Sequence, residues 1–176
     1  MKKKTVKKVP AKRVKKGKTT KTKAAVQSVE LKRILVPIDF SEHSKAALRF
    51  AVRYTQTFNA SLDLLYVVEP IIYPADFSFG QVGLPYNEDE LRLRGDSGLD
   101  NLIKTEVPPN IVARRSVRTG KAFYEISQYA KEEQIDIIII GTHGHTGVEH
   151  ILFGSTAEKV VRKAPCTVLV YRPESH

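Results

Sequence analysis

Ile137-Ile138-Ile139-Ile140-Gly141-Thr142-His143-Gly144 (residues 137–144) is the stretch on which the reading of this chain turns. Four β-branched residues in succession favour extended backbone. No polar residue interrupts them, so both faces of the strand they form must be covered. Strands buried on both faces belong to parallel sheets packed between helices. The run then meets two glycines within four residues, so the strand ends in a turn with little side-chain bulk. In open α/β sheets, ligands sit beyond such strand ends, near the point where strand order reverses.

The same alternation extends outward from residues 137–144. Lys32 to Ile38 (KRILVPI) reads as a buried strand, with Ser41 as N-cap of the helix that follows. That helix places Ala47, Ala51, Tyr54 and Phe58 on one face. Leu62 to Val68 is a second buried strand. Ile111 to Arg118 alternates and carries three arginines, which predicts a solvated edge strand. Helices are expected over Asn87 to Lys104 (weakened by Gly95 and Gly98), over Ala122 to Lys131 with Phe123, Ile126 and Ala130 inward, and over Ser155 to Lys163. Cys166 to Arg172 is the last strand. Strands separated by helical patterns and joined by right-handed crossovers give an α/β fold. The expectation is a five-stranded parallel doubly wound sheet, Rossmann-like, in strand order 3-2-1-4-5, with helices on both faces.

A chain of 176 residues, 41% apolar and 27% charged, suits one globular domain with an appendage. Its longest apolar run falls far short of the roughly 20 residues that span a bilayer, which excludes an integral membrane protein. One cysteine, Cys166, forbids an internal disulfide and a cysteine-based metal cluster, and suits a reducing, cytoplasmic compartment. At the start of a buried strand it reads as an inert core thiol.

The net charge of +10 is unevenly placed. Residues 1–30 hold twelve Lys/Arg and one acid, Glu30, whereas residues 31–176 hold seventeen Lys/Arg against eighteen Asp/Glu. The first segment has no aromatic residue, no leucine and no isoleucine. It cannot bury enough surface to offset its ordering entropy, which predicts a disordered basic tail over 1–30 before a folded domain over 31–173. It lacks the apolar core of a secretory signal, and its single arginine argues against a mitochondrial transit peptide. A solvated arm and an arm that holds DNA, RNA or another acidic partner by counterion release both fit its composition. Residues 70–86, with Pro70, Pro74, Gly80, Gly83 and Pro85, read as an irregular insertion.

Two places collect at the strand ends. One is Pro37-Ile38-Asp39. The other is Gly141-Thr142-His143-Gly144, then nine residues, then Gly154-Ser155. Glycines at 141 and 144 allow a sharp turn and close approach to a ligand. Ser155 with Glu158 fits a capping box, and the helix start suits a phosphate, with the Ser155 and Thr156 hydroxyls as further donors. Asp39 faces the same crevice and can accept hydrogen bonds from a ribose diol. Taken singly, each of these is an ordinary turn or cap. The pattern is not a Walker A loop, because no lysine follows Gly154, nor the dinucleotide fingerprint, whose glycines follow the first strand. His143, His145 and His150 lie at loop spacing without a fixed acidic partner, so no metal site is expected. No residue is placed as a general base, arginine finger or kinase-type catalytic loop, so no catalytic residue is assigned.

The pattern G-x2-G-x9-G-S from Gly141 to Ser155, with VPIDFS at Val36 to Ser41 and LLYVVE at Leu64 to Glu69, resembles the universal stress protein family over residues 31–173. Its nucleotide-binding subgroup carries that glycine pattern complete. The resemblance implies ATP, with or without magnesium, as the ligand. Pro37 and Val67 would line the adenine slot, Ile140 and Gly141 would close it, and Asp39 would contact the ribose. Gly144, Gly154, Ser155 and Thr156 would cradle the phosphates. Thr156 stands where the family often has a small apolar residue, and keeps the backbone N–H. The resemblance further implies a stress-response regulator, with slow ATP hydrolysis or autophosphorylation at most, and a homodimer. The apolar last strand, Thr167 to Tyr171, is the edge open to a second copy. The alternative is a nucleic-acid-associated protein binding through its basic tail. An electron-transfer flavoprotein-like or adenine-hydrolase module would share the sheet but need a different phosphate loop.

Overall fold

The computed structural model describes residues 30–70, 87–142 and 154–173. The basic segment, nearly all of the 70–86 insertion, Gly144 and the three loop histidines lie outside them. Five strands, β1 (Arg33–Ile38), β2 (Ser61–Val68), β3 (Ala113–Thr119), β4 (Ile137–Gly141) and β5 (Thr167–Tyr171), alternate with four helices. These are α1 (Glu42–Phe58), α2 (Glu88–Glu106), α3 (Ala122–Glu132) and α4 (Ser155–Lys163). All strand pairs are parallel, as the alternation of patterns predicts, and the order is the expected β3-β2-β1-β4-β5.

Period-two alternation divides the core into two layers. Ile34, Val36 and Ile38 of β1, with Leu62 and Leu64 of β2 and Ile137 and Ile139 of β4, pack under α1 and α2. Leu35, Leu65, Ile138 and Ile140 pack on the opposite face against Ile126, Tyr129 and Ala130 of α3 and Ala157 and Val160 of α4. Strand order reverses between β1 and β4, which opens a crevice at their carboxyl ends.

Local chemistry sets the helix boundaries. The Ser41 side chain accepts from the Ser44 amide at the start of α1, and Asn59 closes it in the left-handed conformation. Asn87 caps α2, whose first turn carries Glu88, Asp89 and Glu90. The side-chain pattern of α1 differs from expectation at one end. Ala47 and Ala51 are fully buried, but Phe58 is 43% exposed, and the inward face is completed by Leu48, Val52 and Thr55. Small residues at the centre let α1 lie close to the sheet. The aromatics flank it, where Phe50 stacks on Tyr171 of β5 with ring centroids 4.7 Å apart.

The β3 arginines also differ from expectation, because they are paired rather than merely solvated. Arg114 meets Asp63, Arg115 bridges Asp96 and Asp100 of α2, and Arg118 reaches Glu125 and Glu132 of α3. Asp63 is fully buried, so its charge needs partners, and it takes Arg33, Arg114 and the Tyr129 hydroxyl. Burial, with Asp63 and Glu133 nearby, pushes the Tyr129 phenol up to about 12. This charged cluster sits at the amino-terminal end of the sheet, opposite the crevice. Cys166 is half-buried just before β5, and burial raises its thiol pKa.

Candidate functional site

Beyond the carboxyl ends of β1, β2 and β4 lies a cavity of about 250 Å³. Pro37, Leu65, Val67, Ile140, Ala122, Ile126 and Ala157 give it apolar walls, and Asp39, Thr142, Ser155 and Thr156 give it polar ones. Strand parity explains the convergence. Pro37 and Asp39 share the face of Leu35, Val67 that of Leu65, and Ile140 that of Ile138, all on the α3/α4 side. Eight of the residues singled out from the sequence, Pro37, Asp39, Val67, Ile140, Gly141, Gly154, Ser155 and Thr156, line this one cavity. Gly144 falls outside the described residues.

Each contributes differently. The Asp39 carboxylate, half-buried at the rim, accepts from the Ser41 amide at 3.0 Å and the Ser41 hydroxyl at 2.6 Å through Oδ1. It is therefore oriented by the residue that also caps α1. The amide of Gly154 donates to the Thr142 carbonyl at 2.7 Å, which ties the start of α4 to the end of β4. Gly154 is itself the N-cap, without a side-chain cap, and Glu158 pairs with Arg162. The Ser155–Glu158 capping box expected from the sequence is therefore not formed, because the N-cap falls one residue earlier, at Gly154. The tie to Thr142 starts the helix at Ser155, so neither side chain reaches back to cap it. The amides of Ser155, Thr156 and Ala157 occupy the first turn, ahead of the first bond from Glu158 N–H to Gly154 C=O. With the positive end of the helix dipole, that turn favours an anion.

Gly141 serves a second purpose besides the one its sequence context implies. A Cβ there would lie 3.0 Å from the backbone carbon and oxygen of His43. The missing side chain lets the first turn of α1 close on β4, and Gly141 lines the cavity only with its backbone.

Sequence reading missed Ser44, Leu65, Ala122, Ile126, Thr142 and Ala157 as cavity residues. For Leu65 the signal was available, since it shares a strand face with Val67. Ala122 and Ile126 enter because Glu69, at the end of β2, accepts from the Ala122 amide at 2.6 Å and holds α3 against the sheet. Nothing in their local sequence announces that long-range bond. Among the described residues no group of three or more His, Cys, Asp or Glu is placed to hold a metal. No described helix is long and apolar enough to cross a membrane.

The sequence profile of the universal stress protein family matches residues 30–172. The chain belongs to this family. Among universal stress proteins, it is 31% identical over 144 residues to MJ0531 of Methanocaldococcus jannaschii, covering 80% of this chain and 82% of that one. To MJ0577 of the same organism it is 32% identical over 157 residues, covering 82% and 97%. The solved structure of MJ0577 superposes with a TM-score of 0.68 over 84% of this chain and all of that one. A universal stress protein from Archaeoglobus fulgidus solved in complex with dAMP superposes with a TM-score of 0.56 at 20% identity, over 80% of this chain and 98% of that one. At that identity the likeness is one of fold.

Proposed function

We propose that this universal stress protein binds ATP in the crevice between β1 and β4 and acts as a nucleotide-dependent regulator in the stress response. The observation that carries the reading is a single cavity that joins an apolar slot, a half-buried carboxylate and the first turn of a helix. A nucleoside triphosphate needs those three features. Its base is flat with apolar faces, its sugar donates hydroxyl hydrogens, and its phosphates accept amide hydrogens. Pro37 and Val67 flank the adenine, with Ile140 and Gly141 closing the slot. Asp39 accepts from the ribose hydroxyls. Ser155 and Thr156 give amides and hydroxyls to the phosphates, with Gly154 leaving room for them, and magnesium accompanies the triphosphate. That a family member of this fold carries dAMP supports an adenine nucleotide.

No side chain among the described residues lining the cavity is a histidine or lysine, and its one carboxylate, Asp39, is engaged by Ser41. The protein works in the cytoplasm as a homodimer, with the open edge of β5, Thr167–Tyr171, against a second copy. Mass spectrometry of the ligand released on denaturing the purified protein should find an adenine nucleotide. Isothermal titration should then show saturable ATP binding to the emptied protein. No heat at millimolar ATP would overturn the reading.

A second reading concerns the first 30 residues alone. Their charge stands in contrast to a nearly neutral domain, which favours a sequence-independent hold on nucleic acid or another polyanion. It is compatible with the first reading, because it involves different residues.

A further inference from the structure

We infer that Phe40 is the positioning residue for the Asp39 carboxylate, clamped from the far side of the sheet by the glycine face of α2. The inference rests on the nucleotide reading above and deepens it.

Phe40 adopts φ 65°, the left-handed region that bulky L residues avoid. Such a conformation persists only where the surroundings impose it. Here they do. The ring packs against Tyr66 with centroids 5.0 Å apart and planes tilted by 48°. Both rings press on α2 where that helix has no side chain. A Cβ at Gly98 would fall 2.7 Å from Cε1 and Cζ of Phe40, and one at Gly95 would fall 2.8 Å from Cε1 of Tyr66. Gly95 and Gly98 weaken α2 as an isolated helix. Their spacing of three puts both on the same face, and their lack of bulk lets the helix seat the two rings.

The consequence reaches the cavity. Ile38 points to the α1/α2 layer, Asp39 to the crevice, and Phe40 back to the α2 side. The left-handed turn at Phe40 aims the next amide, that of Ser41, and the Ser41 hydroxyl at Asp39 Oδ1. An ordinary negative φ at Phe40 would swing that amide away and break the contact that aims Oδ1. Phe40 therefore sets the direction of Asp39 without lining the cavity itself.

The test uses the full chain and two ligands, ATP and 2′,3′-dideoxy-ATP, which lacks the hydroxyls that Asp39 would accept from. Phe40→Gly removes the ring while tolerating the turn. Gly98→Ala pushes a methyl into the ring without touching the loop. Each should weaken ATP about tenfold, the scale of one charge-assisted hydrogen bond, and leave 2′,3′-dideoxy-ATP unchanged. Phe40→Leu, which lacks Cε1 and Cζ, should restore ATP binding when combined with Gly98→Ala, a rescue that does not depend on Phe40→Gly folding. Equal losses for both ligands would make the ring a packing element only and overturn the inference, as would no loss, or no rescue in the pair. A wild-type protein that binds both ligands equally removes the ribose contact itself. One that binds neither removes the nucleotide reading, and the inference falls with it in both cases.

Discussion

Replacing Asp39 tests the proposed ribose contact apart from everything else in the crevice. Its Oδ1 already accepts two hydrogen bonds from Ser41, so Asp39→Asn keeps an oxygen for that contact and turns the other oxygen into an uncharged NH2 group, which can donate to a ribose hydroxyl but not accept from it. A charge-assisted bond contributes about 1.5–3 kcal/mol, and a neutral one about 0.5–1.5. Asp39 is half-buried, so solvent screens part of its charge and the difference falls toward the lower end. The expected loss for Asp39→Asn is about 1–2 kcal/mol, roughly 5- to 30-fold in ATP affinity. Asp39→Ala should lose up to about 3 kcal/mol, because it also frees Ser41, whose hydroxyl caps α1. Isothermal titration of the full chain reads both, with inorganic triphosphate as a control, since twelve basic residues in the first 30 attract any polyanion. Adenine alone, which has no sugar, should bind both variants as it binds the parent. An Asp39→Asn protein with parental ATP affinity would refute the ribose assignment, and a matching loss for adenine would refute the reasoning that localises it.

Gly141→Ala should destabilise the fold by about 1–3 kcal/mol, because the added methyl meets the backbone of His43 rather than a side chain able to move; an unchanged thermal midpoint would show that α1 yields. Tyr129 holds its proton in the folded state to about pH 12, while the unfolded phenol loses it near pH 10. Its contribution is therefore complete below pH 10 and is lost as pH rises toward 12. Tyr129→Phe should remove that alkaline loss and cost about 1 kcal/mol at neutral pH, since it gives up the bond to Asp63; denaturant melts across the pH range measure both. Removing residues 1–28 leaves every described strand and helix in place and should abolish salt-sensitive binding to DNA or RNA; retained binding in a filter assay would exclude the basic segment as its origin.

The fold was legible because its signals are local. Four isoleucines without a polar neighbour must be covered on both sides, and the alternation of strand and helical patterns leaves few ways to arrange them. Asp39 and Ser155 were legible because strand ends and helix starts are marked by a residue type and by the glycines beside them. What stayed hidden depends on contacts across the sheet. Gly95 and Gly98 read as weak points of a helix, since nothing near residue 95 says that Tyr66 and Phe40 will press there. The arginines of β3 read as a solvated edge because their acids come from α2, α3 and the buried Asp63. Gly141 read as a ligand-facing gap, yet the atoms that forbid its side chain belong to α1, nearly a hundred residues earlier.

The two ends of the sheet treat acids in opposite ways, and the contrast argues for where chemistry can occur. At the amino-terminal end Asp63 is fully buried, met by Arg33 and Arg114 and by the Tyr129 hydroxyl. Removing one guanidinium there strands a buried charge, so the cluster serves register and stability and offers nothing to a ligand. At the carboxyl-terminal end Asp39 remains half-exposed at the mouth of a cavity, held in direction by a hydroxyl and an amide. A ribose that donates to it meets a charge already aimed, and the ordering needed for binding is done when the chain folds. The strained turn at Phe40 belongs to the same logic, since its cost is met by ring packing on α2 and its effect is felt at Asp39. A site arranged this way loses affinity through changes that never touch the ligand, and α2 is where such changes should be sought.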